Sequence, residues 1–125
     1  MKLLWLIVGM ILLASCASEI PRQPTTLIPS ADGEAQSRVI QVDEDADVWL
    51  PSGYSRSIRA GSIWKQSGTV EGRAAYKPTK DVFTIEGTHV HEAYLLLDGN
   101  TLVGFFLPGE NAVSWLKNKV ILKFH

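Results

Sequence analysis

"HVHEAYLLLDGNTLVGFFL", residues 89–107, carries the pattern that decides the fold. Two apolar runs flank Asp98-Gly99, the favoured pair for a two-residue type I′ turn, whose twist matches that of its flanking strands. A turn at that pair predicts Leu97 opposite Asn100, Leu95 opposite Leu102, Ala93 opposite Gly104 and His91 opposite Phe106. Both faces of this hairpin are apolar near the turn, so it belongs in a central, covered part of a sheet. The small Ala93–Gly104 pair would leave a gap for an aromatic from the facing layer, Trp64 or Trp115.

The flanking sequence continues in short β-like runs separated by turn signals. Upstream lie Arg38 to Val42, an acidic loop from Asp43 to Asp47, and Val48 to Leu50, which ends at Pro51-Ser52-Gly53. Ser62 to Ser67, Arg73 to Lys77 and Val82 to Glu86 follow, each bounded by Gly or Pro. Downstream, a turn or two of helix is expected around Ala112 to Lys117, then a last strand from Lys119 to Phe124. That strand puts Val120, Leu122 and Phe124 on one face and Lys119 and Lys123 on the other, where they guard an exposed edge. The expected class is all-β: a small antiparallel β-sandwich or barrel of about six to eight short strands, with at most a short helix near the C-terminus. Trp49, Trp64, Phe83, Tyr94, Phe105, Phe106 and Trp115 are the aromatics available for its core.

The N-terminus follows a different pattern. Lys2 is the only charge before Glu19, and every residue from Leu3 to Ala14 is apolar or glycine. That run is shorter than the roughly 20 residues needed to span a bilayer. It has the layout of a secretory signal: a positive start, an apolar stretch and small residues at a cleavage point. Leu13-Ala14-Ser15-Cys16 resembles the lipobox of bacterial lipoproteins. The resemblance covers about the first eighteen residues and implies cleavage between Ser15 and Cys16 with acylation of Cys16, the only cysteine in the chain. Several acyl chains on one residue hold a protein at a membrane, since each buried methylene contributes about 0.8 kcal/mol. Ala17 and Ser18 lack the aspartate that tends to retain such lipoproteins in the inner membrane of enteric-type bacteria, so the outer membrane is expected, with the domain facing the periplasm.

Cleavage before Cys16 leaves 110 residues, enough for one small domain. Ala17 to Ser37 contain three of the six prolines with Thr, Ser and Gly, the composition of a flexible tether. Such a stretch reaches roughly 25 Å as a coil and roughly 65 Å as polyproline II. The expected organisation is therefore a signal peptide over 1–15, a lipidated cysteine and tether over 16–37, and a single β-rich domain over 38–125.

The mature chain has eleven basic and thirteen acidic residues, a balance that argues against nucleic acid as a partner. The charge is unevenly spread. Tyr54 to Lys80 carry Arg56, Arg59, Lys65, Arg73, Lys77 and Lys80 against Glu71 alone, whereas Asp81 to Asn111 carry five acidic residues and no basic one. The basic set is a candidate surface for an anionic envelope partner such as a lipid headgroup, a cell-wall polymer or an acidic protein.

His89 and His91 fall on the same side of a strand, with Glu86 nearby. Histidines at that spacing can ligate zinc or copper. The pair resembles the HxH of the first cupin motif, but glutamate follows immediately here, and no histidine lies between Gly109 and His125. The expectation is two strand-end histidines, one packed on Phe106, with no metal or other cofactor. A periplasmic metal-binding protein using His89, His91 and Glu86 is the alternative. Asp43, Asp45 and Asp47 alternate as in calcium loops, but Val48-Trp49 break the EF-hand pattern, so a solvated acidic loop is expected. Hydrolase, nucleotide-binding and redox motifs are missing, so no catalytic residue is assigned. The functional expectation is a non-enzymatic binding or scaffolding component of the cell envelope, within a secretion or conjugation apparatus. An inhibitor of a hostile cell-wall enzyme such as lysozyme is a further alternative.

Overall fold

The computed structural model describes residues 19–30 and 38–125. The expected signal peptide and the lipobox-like stretch with Ser15 and Cys16 lie outside the described residues. Twelve strands occur, and no helix, among the described residues: β1 (Gln23–Pro24), β2 (Ile28–Pro29), β3 (Val39–Gln41), β4 (Ala46–Trp49), β5 (Ser55–Ile58), β6 (Ile63–Val70), β7 (Arg73–Pro78), β8 (Thr84–Glu86), β9 (Val90–Glu92), β10 (Tyr94–Asp98), β11 (Thr101–Leu107) and β12 (Ala112–Ile121). None of the described residues forms a helix able to cross a membrane. The all-β class is as the sequence indicated.

One antiparallel sheet runs β1-β12-β11-β10-β7-β6-β2, and β3 also pairs with β6. Laid flat, its six strand spacings of about 4.8 Å would put β1 and β2 about 29 Å apart. The chain from Pro24 to Ile28 can reach at most about 14 Å. The sheet therefore curls until its two ends come together under one short link. A second closure joins β3 to the C-terminal tail: Gln41 and His125 exchange backbone hydrogen bonds, and Val42 bridges Phe124. The hairpins β4–β5 and β8–β9 form two small separate sheets.

The strand alternation of β10 and β11 fills both faces of the large sheet. Leu95, Leu97, Leu102, Phe105 and Leu107 join Ile40, Trp64, Phe83 and Leu122 in the main core. Leu96, Val103, Phe106, Val70, Ala75 and Val113 form a second cluster, against which Leu27, Tyr94 and Trp115 pack.

The register of the hairpin differs from that expected. Asp98 pairs with Thr101, so the turn is Gly99-Asn100, with Gly99 at φ 63°. Glycine occupies the one site that needs positive φ, as in a type II′ turn, and Asp98 becomes a strand residue. A bulge then shifts the register again, so that Leu95 faces Phe105, Leu96 faces Gly104 and Tyr94 faces Phe106. Gly104 is nevertheless a space for an aromatic. A Cβ there would stand 2.7 Å from the Ser114 carbonyl oxygen and 3.0 Å from the Trp115 ring. Trp115 fills the space from the neighbouring strand β12, not from a facing layer.

Three further expectations are corrected. The stretch expected to open as helix at Ala112 is the long strand β12, because its backbone pairs with β11 from Leu107–Ala112 to Thr101–Ile121. Trp49 is not core: alternation on β4 turns Val48 inward and leaves Trp49 67% exposed. The described part of the expected tether, residues 19–30, is a strap on the domain. Ile20 is only 2% exposed within the main core, β1 pairs with β12, and β2 pairs with β6.

Candidate functional site

Two constellations of polar chemistry stand on this frame. The first is a groove of about 370 Å³ between the end of β5, the start of β6 and the 78–83 segment that leads into β8. Trp64 and Phe83 form its floor, packed edge to face with ring centroids 5.2 Å apart. Arg56 crosses Phe83 with its guanidinium 4.3 Å from the ring centroid and donates from Nε to the Thr84 carbonyl oxygen at 2.7 Å. It staples β5 to β8. Arg59 and Lys80 rim the groove with no carboxylate partner among the described residues. The exposed side chains of Ile63 and Val82 also line it.

The six basic residues named from sequence are carried by several elements of the sheet and the groove. Arg56, Arg59 and Lys80 meet at the groove. Lys65 and Lys77 stand directly opposite each other across β6 and β7. Lys77 also lies 5.9 Å from the Tyr94 ring centroid, and Arg73 lies 5.0 Å from that of Trp115.

The second constellation is centred on His91. Only 6% of it is exposed, and its Nδ1 lies 2.8 Å from Glu110 Oε1 while its Nε2 lies 3.2 Å from Glu19 Oε1. Both partners of the ring are carboxylates, which accept hydrogen bonds when ionised, so the ring can donate from both nitrogens only as an imidazolium, the form this setting favours. Burial works against that charge, but the hydrogen bonds to Glu110 and Glu19 outweigh it and raise the His91 pKa. Glu19 also accepts from the Ile20 amide at 2.8 Å and from His89 Nδ1 at 3.0 Å. The amide first, then His89 and His91, bring its carboxyl down to about 2. Both ring nitrogens of His91 are thus engaged by carboxylates. Among the described residues no cluster fit to hold a metal occurs. Glu86 contributes its backbone carbonyl, which accepts from Ser52 Oγ at 2.6 Å. His91 does not pack opposite Phe106, because β9 pairs it with Ile85.

No protein family, curated protein or solved structure matches the chain. Function must come from these residues alone. Glu19 and Glu110 were invisible to sequence reasoning, since each meets His91 across a long loop of chain. The histidine spacing was the only signal. The three alternating aspartates separate in the same way: Asp43 takes His125 Nδ1 at 2.6 Å, Asp45 takes the Ala60 amide at 2.7 Å, and Asp47 takes the Ser57 hydroxyl.

Proposed function

We propose that the chain is a lipid-anchored envelope adaptor, held in the outer membrane through Cys16, whose groove binds an acidic segment of another envelope protein without catalysis. A secretion or conjugation apparatus is the kind of assembly that uses such a component. One observation carries this reading: Arg56, Arg59 and Lys80 line the groove against the single carboxylate Asp81, and neither Arg59 nor Lys80 is ion-paired among the described residues. The groove's size falls within the range of about 300–1,000 Å³ usual for small binding sites. A protein segment suits it better than a cell-wall glycan. Sugars stack on open aromatic faces, but Trp64 is buried and the face of Phe83 is covered by Arg56. The exposed apolar groups of the groove are aliphatic, Ile63 and Val82, and match apolar side chains interspersed among acidic ones.

Selection from a random peptide library on the 19–125 domain tests the groove. Recovered peptides should be enriched in Asp and Glu, and the double variant Arg59→Glu, Lys80→Glu should not retain them. Peptides without acidic enrichment, or equal retention by the variant, would reject the groove assignment. The anchor has its own test. Cys16→Ala should leave an uncleaved, unacylated precursor, and normal acyl labelling of that variant would reject the lipid attachment.

A further inference from the structure

We infer that the domain sits directly on the bilayer, with the tips of the β4–β5 and β8–β9 hairpins in the membrane interface. This rests on the Cys16 anchor proposed above, and on the finding that the chain just beyond it is fixed to the fold. Glu19 is the third residue after Cys16, so the acylated residue lies within about 11 Å of it. Glu19 is not free to swing. Its carboxylate is held by His89 and His91, and Ile20 is buried in the main core. Gly87, in the β8–β9 turn, is packed so closely on this point that a Cβ there would stand 2.8 Å from the Ile20 side chain. The roughly 25–65 Å of slack that a tether would give is gone.

The surroundings of Glu19 are therefore what meets the lipid. The β8–β9 turn lies against it through Gly87 and His89. The β4–β5 turn lies next, tied to Glu86 by the Ser52 hydroxyl, with the Tyr54 carbonyl accepting from the Leu50 amide. These two hairpins hold three exposed large apolar side chains: Trp49, Tyr54 and Val90, at 67%, 41% and 63%. Trp and Tyr are the side chains that concentrate where membrane meets water. Residues 46–54 and 86–92 contain Asp47, Glu86 and Glu92 but no Lys or Arg. The contact is thus aromatic and apolar, not an attraction to anionic headgroups. β5 runs from the tip at Ser55 toward Arg59, about 13 Å along the strand, so the groove opens at the end away from the lipid.

The test uses the acylated mature protein in phosphatidylcholine vesicles with brominated acyl chains, which quench nearby indoles. The mature chain keeps Trp49, Trp64 and Trp115, of which Trp64 is buried and Trp115 lies beneath Arg73. The protein should float with the vesicles and be quenched, and Trp49→Phe should float equally well but lose most of the quenching. Inserting a Gly-Ser linker between Ser18 and Glu19 should likewise keep flotation and weaken quenching. Flotation without quenching, or quenching that persists in Trp49→Phe, would overturn the seating while leaving the anchor intact. Failure to float would overturn the anchor and the seating with it. Quenching that strengthens when phosphatidylglycerol is added would reveal a basic contact face and overturn the assignment of these tips.

Discussion

On the β10–β11 hairpin, Leu95, Leu96, Leu97, Leu102, Val103 and the Phe105–Leu107 run are all buried, whereas between Glu19 and Ser30 only Ile20 is. Both regions are β-structure in the same sheet, but different forces hold them. The hairpin is fixed by apolar surface on both faces. The strap is fixed by one buried isoleucine, the clamp on Glu19, the Thr25–Glu71 hydrogen bond of 2.9 Å and two strands of two residues each. Regions with few buried contacts open first, at less than the global unfolding free energy. The strap is therefore the part that loosens while the hairpin stays folded.

That contrast can be broken most directly by truncating one buried side chain in each region. Leu95→Ala removes a fully buried leucine from the main core and should cost about 2–5 kcal/mol in denaturant unfolding. Ile20→Ala should shift the same midpoint less, because its loss is limited by local opening of the strap. Equal shifts in one sharp transition would mean that strap and hairpin unfold as a unit. Gly104→Val is next in size. Its side chain would press on Ser114 and Trp115, with an expected cost of about 1–3 kcal/mol. Thr101→Val, a half-buried residue beside the turn, should stay within about 0.5 kcal/mol.

The smallest effect sharpens the contrast by pH. Glu19 has its pKa depressed in the folded state, so its contribution is complete above 4.5 and fades as pH falls toward about 2. His91 has a raised pKa, so its contribution is complete below 6.5 and is lost as pH climbs through the folded value. Protection of the strap amides, relative to their intrinsic exchange rates at each pH, should thus be greatest between about pH 4.5 and 6.5. Hairpin amides should not follow this profile. His91→Gln should lower strap protection by about 1 kcal/mol and remove the alkaline limb. Strap protection that stays flat across this range would exclude the clamp as its fastening.

The sequence displayed the hairpin because its burial is written locally, in consecutive apolar residues on both sides of one turn signal. Even there, moving the turn by a single residue changed every cross-strand partner, since Asp98-Gly99 and Gly99-Asn100 both satisfy the composition of a tight turn. The strap was not legible. Its Pro, Thr and Ser content is that of a linker, and the groups that order it, His91, Glu110 and β12, lie far along the chain. Trp49 was misread because size suggests core, while alternation from Val48 decides direction. The basic residues were legible as a cluster in sequence but not as surfaces. Strand pairing sets Lys65 against Lys77 and sends Arg59 and Lys80 to the groove.

Two seams of the structure pair segments far apart in sequence: β1 with β12, and β3 with Phe124 and His125. Pairings this remote in sequence cannot form until both partners are present, and folding dominated by such contacts proceeds in milliseconds to seconds, not microseconds. A chain stopped short of Ala112 could make the β10–β11 hairpin but neither seam. The strap and β3 are thus locked only by segments far along the chain.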